Sequence, residues 1–379
     1  EQRLIGRGQD SAEVIAGQCD DSLIVDLLEG SGGTSTNMNF NEVIANRAQQ
    51  LMGHAAGSYE VVHPNDHVNA SQSTNDVYPA ALKIATHAML GPLIDEVEQL
   101  AASFDHKTAQ FADILHLGRT CLQDAQPMRL GQLFSGYAAL THRVAAELTS
   151  VRDTLRTLPL GGTAIGTGFG APAAYRDAVY QHLVHITGIG YQAPSNAFDA
   201  MQNMDVFSRV SAELRTCSAS LAKIATDLTL LSSGPVGGIG ELKLPEAQAG
   251  SSIMPGKVNP VLPMAMIQLS FAVIGNDAAV AQAVQAGQLE INHFEPLVAS
   301  RVFDSIALLT QGIQRFREKC IVGITANAER NEHHLTQSMA VATALVPQLG
   351  YARVSKLARQ SVEQGRSLLS ILEESGLMS

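Results

Sequence analysis

Hydrophobic positions fall at helical spacing over most of this chain. Val210, Leu214, Cys217, Leu221, Ile224, Leu228 and Leu231 alternate strictly by four and three, which lays one apolar seam along a long helix. Val302, Ile306, Leu309, Ile313, Phe316 and Cys320 form a second seam, and Leu130, Leu133, Tyr137, Leu140, Val144, Leu148, Val151 and Leu155 a third. Leu93, Val97, Leu100 and Phe104 form a fourth, after a kink expected at Gly91-Pro92, where proline removes a helical hydrogen bond. Residues 258–276 carry no charge and are long enough to raise a membrane span. Asn259, Pro260, Pro263, Gln268 and Asn276 argue against a span, and a helix apolar all round suits the centre of a large bundle. Strand-like alternation is nearly absent. The expected fold is therefore mainly α: an elongated central helical bundle with smaller N- and C-terminal helical domains. Its edges are expected near residues 75 and 329, giving 1–75, 76–329 and 330–379, the last a small cap of short helices.

With 379 residues the chain can bury a large core. Its net charge of −11 speaks against nucleic acid as a partner, so a small anionic substrate must be captured by local donors. Cys19, Cys121, Cys217 and Cys320 show no CxxC pairing, which reads as reduced thiols in a cytoplasmic protein. Gly166, Gly168 and Ala171 fit a dinucleotide fingerprint only nominally, because no apolar strand precedes them. His182, His185, His333 and His334 lack the HExxH or carboxylate-supported spacing of a metal site, and no metal is expected.

The segment richest in chemistry is residues 250–260, GSSIMPGKVNP. Two glycines and two prolines keep it out of a regular helix, so Ser251, Ser252, Lys257 and Asn259 can all project toward one small ligand. Composition alone leaves two readings open, a loop that binds a carboxylate and a polar connector between helices.

Three further stretches bear on that choice: residues 33–48 (GTSTNMNFNEVIANRA), 64–79 (PNDHVNASQSTNDVYP) and 118–125 (GRTCLQDA). Together with the loop, and in this order, they resemble the aspartase/fumarase superfamily along essentially the whole chain; PNDHVN, STND and NPVLP look more like aspartases than fumarases. The resemblance implies elimination from a substituted succinate to leave fumarate, with a small dicarboxylate as substrate and no cofactor. It also implies a homotetramer whose central helices form one shared bundle and whose active sites each draw on three subunits. By the same resemblance Ser251 is the base. Thr34, Ser35, Ser73, Thr74 and Ser252 match the ligands of one carboxylate, and Thr120, Lys257 and Asn259 those of the other. Asn75 matches a contact to the amino group. A serine hydroxyl is too weak an acid to lose its proton unaided, so Ser251 needs local positive potential from backbone amides and Lys257.

Two departures stand out. Where the family usually carries a histidine and a glutamate as a pair beside the leaving group, this chain has Cys121 and Met264. Losing both together strands neither partner in a buried site. Either the pair is dispensable or the leaving group differs. The expected reaction is conversion of L-aspartate to fumarate and ammonia. The alternatives are an N-substituted or other C2-substituted succinate, malate, or a non-catalytic member of the family. Glu290 and Asn292, in the QLEIN stretch, are expected to support the site structurally.

Overall fold

The computed structural model describes residues 2–377. Most of the chain is helical, the mainly α class expected from the periodicity. In chain order the first helices are α1 (Gln2–Ile15), α2 (Thr34–Leu51) and α3 (Thr74–Gln110). A β-hairpin follows, β1 (Leu115–Thr120) and β2 (Gln123–Arg129), then α4 (Leu130–Thr154), α5 (Ala173–Thr187), α6 (Ala197–Gln202) and α7 (Asp205–Leu231). The strand β3 (Leu242–Lys243) precedes the long helices α8 (Val261–Gln285) and α9 (Glu295–Lys319), and β4 (Thr325–Ala326) pairs antiparallel with β3. The short helices α10 (Ala328–Gln337), α11 (Ala340–Leu349), α12 (Tyr351–Gln364) and α13 (Leu368–Glu374) complete the chain.

Two compact units arise. Unit 1 is Glu1–Leu93, Glu147–Arg215 and Ala272–Leu308; unit 2 is Ile94–Ala146, Thr216–Phe271 and Leu309–Ser379. In unit 2, Phe104 of α3 and Phe111, just past its end, meet Phe134 and Tyr137 of α4 with ring centroids 5.1 to 6.4 Å apart, at tilted and edge-on angles that suit aromatic quadrupoles. Tyr137 donates to Asp227 of α7 at 2.8 Å, and Arg317 of α9 reaches Glu96 of α3 at 3.1 Å. On α9, Gly312 carries no side chain where Leu269 of α8 presses in; a Cβ there would lie 2.3 Å from Leu269 Cδ1. The predicted seams are the buried faces of these helices, and Leu214, Cys217, Leu221, Ile224 and Leu228 are all essentially inaccessible. On α4 the expected Leu130, Tyr137, Val144, Leu148 and Val151 are buried, and at one turn Phe134 rather than Leu133 is the fully buried residue.

Three features add to the sequence expectation. Helix α3 runs through both Pro79 and Pro92 as one 37-residue helix. Pro92 sits on its exposed side, where the lost hydrogen bond can be replaced by water. The hairpin, residues 115–129, was not foreseen, since LHLGRT and QDAQPMR show little apolar alternation. Its turn residues Cys121 and Leu122 have φ of 53° and 63°, the left-handed values a primed two-residue turn requires and that Asn-Gly usually supplies. Finally, α8 is the one helix among the described residues long and apolar enough to cross a membrane, and much of it is not covered by this chain: Met264, Phe271 and Ile274 are exposed. Its far half is nonetheless polar on one side, where Asp277 binds Ser211 and Arg215 of α7 and Asn276 binds Ser305 and Arg301 of α9.

Replacing Phe134 by Ala should lower stability by about 3–5 kcal/mol, the usual loss for emptying a fully buried aromatic position. Its thermal midpoint by circular dichroism should fall by several degrees; an unchanged midpoint would contradict this packing.

Candidate active site

In unit 1 the expected donors sit at the starts of α2 and α3. Gly33 has φ 92°, and a Cβ on it would lie 2.6 Å from the Tyr78 ring, so only glycine lets the entrance of α2 approach α3 this closely. Thr34 opens α2 and is exposed; Ser35 follows it in the first turn. Asn37 Nδ2 donates to Thr74 Oγ1 at 3.1 Å and to Asn69 Oδ1 at 3.2 Å, and Asn41 donates to the same Asn69 oxygen. These asparagines bring the TSTN and STND motifs together. Ser73 Oγ accepts from Asn75 N at 3.2 Å, and Asn75 Nδ2 donates to the Ala164 carbonyl at 2.8 Å. Beneath them lies Asp76, fully buried. Its carboxylate accepts from the main-chain N–H groups of Ser73 (3.0 Å), Gly161 (3.1 Å) and Thr163 (2.9 Å). Burial raises its pKa more than these bonds lower it.

In unit 2 the loop 250–260 closes on itself. Gly250 N donates to the Lys257 carbonyl at 2.9 Å, and Asn259 Nδ2 donates to the Gly250 carbonyl at 2.6 Å. A Cβ on Gly250 would lie 2.2 Å from that Lys257 oxygen, so the closure requires glycine. Inside it, Ser251 Oγ accepts from Ile253 N at 3.2 Å and Met254 N at 3.0 Å. Ser252 and Lys257 are exposed. Thr120 is the last residue of β1, with Cys121 and Leu122 at the exposed hairpin tip. The hairpin is anchored from below by Glu241, which has no accessible surface. Its carboxylate takes Arg119 through two nitrogens, at 2.6 and 2.9 Å, and His334 Nδ1 at 2.6 Å, with His116 Nδ1 at 3.4 Å.

A protein-family model described simply as lyase matches residues 8–275. Aspartate ammonia-lyase of Helicobacter pylori is 44% identical over 97% of this chain and 78% of its own length, and that of Bacillus subtilis 42% identical over 95% and 76%. The chain belongs to the aspartase/fumarase superfamily of lyases. Solved structures agree: a fumarate lyase:delta crystallin from Brucella melitensis superposes with a TM-score of 0.97 at 42% identity, covering all of this chain and 82% of its own. A class II fumarase from Schistosoma mansoni gives 0.95 at 30% identity, with coverage of 100% and 82%. The protein is thus an enzyme of the lyase class, and its aspartate ammonia-lyase relatives are carbon–nitrogen lyases.

Family motifs in the sequence named the candidate donors but not the residues that hold them. Asp76 lies inside STND, yet nothing in its neighbourhood announces a buried carboxylate. The partner of Arg119 lies 122 positions away, out of reach of any local pattern. Among the described residues no cluster of three or more His, Cys, Asp or Glu is placed to hold a metal ion. The four cysteines are free thiols.

Burial pushes the Glu241 carboxyl up, but hydrogen bonds from Arg119 and His334 and the charges of His116 and Arg119 outweigh it and hold it below the usual carboxylate range. A lowered folded value means that its contribution is complete above the unfolded pKa, near 4.5, and is lost as pH falls through the folded value. Glu241→Gln should therefore lower stability at pH 7 by about 3 kcal/mol, because Arg119 loses its buried partner. It should also flatten the decline below pH 4.5. Thermal midpoints of both proteins between pH 7 and 3.5 test this; parallel curves would remove Glu241 from that role.

Proposed function

We propose that this enzyme eliminates ammonia from L-aspartate to give fumarate, reversibly, with Ser251 as the base. The observation that carries the reading is the loop geometry around Ser251. Two main-chain N–H groups point at its Oγ, and such donors favour the alkoxide over the neutral hydroxyl. The alkoxide takes the proton from the carbon next to one substrate carboxylate. The electron pair left behind spreads into that carboxylate as a doubly charged enolate, held by hydroxyls of Thr34, Ser35, Ser73, Thr74 and Ser252. The pair then returns to form the carbon–carbon double bond while the carbon–nitrogen bond breaks and nitrogen leaves with its electrons. Thr120, Lys257 and Asn259 hold the second carboxylate, and Asn75 faces the amino group. One N–H of the Asn259 amide closes the loop onto Gly250, leaving its other N–H for the ligand. Preorganisation supplies the rate, since donors already in place need not reorganise as charge develops.

A second reading rests on Cys121 and Met264. Both are exposed in this chain, and neither can pair with an ammonium as an imidazole and a carboxylate would. That favours a larger or less basic leaving group, as in an N-substituted aspartate.

Purified enzyme mixed with L-aspartate should raise ultraviolet absorbance as fumarate forms, and Ser251→Ala should abolish the rise while keeping the fold. Faster fumarate release from an N-substituted aspartate would establish the second reading instead, and a fully active Ser251→Ala protein would remove Ser251 as the base.

The enzyme acts as a homotetramer in this reading, with α8 of each copy packed in a shared core. The uncovered apolar residues Met264, Phe271 and Ile274 support it, since this much exposed apolar surface is costly in a lone chain. Phe271→Glu should shift the species measured by light scattering from tetramer to smaller forms; a tetramer unaffected by the charge would place the interface elsewhere.

A further inference from the structure

The first turn of α2 already holds a carboxylate, and it belongs to the chain itself. Glu29 accepts from Ser35 N at 2.9 Å, Thr36 N at 3.0 Å and Thr36 Oγ1 at 2.7 Å, and also from Ser31 Oγ. Burial raises its pKa, but the bonds from Ser31, Thr36 and Ser35 outweigh burial and bring it to about 2, so it is charged at any pH where the protein functions. The N-cap residue is Gly33, which has no side chain to offer, so the acceptor comes from four residues further back.

The amides at this turn are all engaged. Thr34 N donates to the Ser31 carbonyl and Asn37 N to the Gly33 carbonyl; the two between them, Ser35 N and Thr36 N, donate to Glu29. Ser35 N is also 3.0 Å from Ser31 Oγ, so a second carboxylate would compete for donors already shared, and two carboxylates on one turn repel each other. Glu29 also lines a cavity of about 370 Å³ with Leu28, Gly30, His293 and Phe294, so a ligand entering there meets it directly.

We infer that Glu29 is an internal competitor for the substrate carboxylate. It fills the first turn of α2 in the free enzyme and swings aside when a carboxylate of the substrate takes its donors. The inference rests on the reading of Thr34 and Ser35 as carboxylate ligands, with the substrate adding to their hydroxyls the Ser35 and Thr36 amides that Glu29 holds. It makes Glu29 a determinant of apparent affinity: the site binds only in the fraction of molecules where Glu29 has let go, and the observed dissociation constant is weakened by that fraction.

Glu29→Gln keeps the shape and one accepting oxygen while removing the charge, and Glu29→Ala removes the competitor altogether. Two measurements read the effect: KM for L-aspartate, and the dissociation constant of succinate by calorimetry, which needs no turnover. Both should fall at least about fivefold in Glu29→Gln, the low end of usual coupling between sites, with the change carried by KM rather than kcat. Tighter succinate binding in Glu29→Gln, matched or exceeded in Glu29→Ala, supports the inference. Unchanged or weaker succinate binding in Glu29→Gln overturns it and leaves Glu29 as a helix cap. If wild-type enzyme makes no fumarate from L-aspartate, it is the proposed substrate that fails, and the succinate comparison still decides the role of Glu29.

Discussion

The N–H groups of a helix's first turn have no partner within the helix and must find acceptors, and this requirement organises the site region of unit 1. At α3 the acceptor of the Asn75 amide is Ser73 Oγ, and Asp76 reaches back to the Ser73 amide while also taking those of Gly161 and Thr163, which ties the glycine-rich loop to the STND turn. At α2 the acceptor is Glu29. Both helices thus present donors held rigidly in place, and rigidity is what an enolate needs from its surroundings. Aligned amides of this kind attract carboxylates, and in this chain those they hold are its own. A net charge of −11 does not oppose this, because the attraction is local and short in range.

Unit 2 reaches the same end by loop closure. The bond from Gly250 to the Lys257 carbonyl bends the chain so that the amides of Ile253 and Met254 turn toward Ser251. In a helix those amides would donate to carbonyls four residues earlier and Ser251 would gain nothing from them. Pro255 and Gly256, the latter at φ 78°, keep the segment from becoming one. Irregular backbone and the proposed chemistry are therefore linked here: Ser251 Oγ receives amides that regular structure would have consumed.

The long helices were legible because their seams repeat every seven residues, and Val210 to Leu231 is buried as that spacing requires. The hairpin was not, since its strands owe their pairing to a turn and to an anchor rather than to apolar alternation. Cys121 and Leu122 adopt a conformation that their side chains disfavour, and Glu241, fixed from 122 positions away, makes it tolerable by holding Arg119. Likewise the sequence motifs named Ser35 as a donor, but the occupant of its amide, Glu29, follows no motif and emerges only when the loop is folded. Motif residues speak for a ligand; the residues that position them are chosen by three-dimensional proximity, which sequence order does not record.

Cys121 joins these points. It sits at the tip of a strained turn, on the wall of a cavity of about 340 Å³ where Arg119 is paired with Glu241 and Lys223 with Asp227. The charges of that cavity are thereby neutralised within the protein, and the side chain presented at the tip is an uncharged thiol. A leaving ammonium would find no compensating anion there, and a leaving amine carrying a carbon substituent would meet sulfur and the apolar side chains of Leu122, Met128 and Leu133. In the proposed reaction the tip selects by size and polarity, while Thr120 at the base of the same turn joins Lys257 and Asn259 in holding a carboxylate. Discrimination between leaving groups then rests on the uncharged tip, and the proposed elimination on the amides and hydroxyls around it.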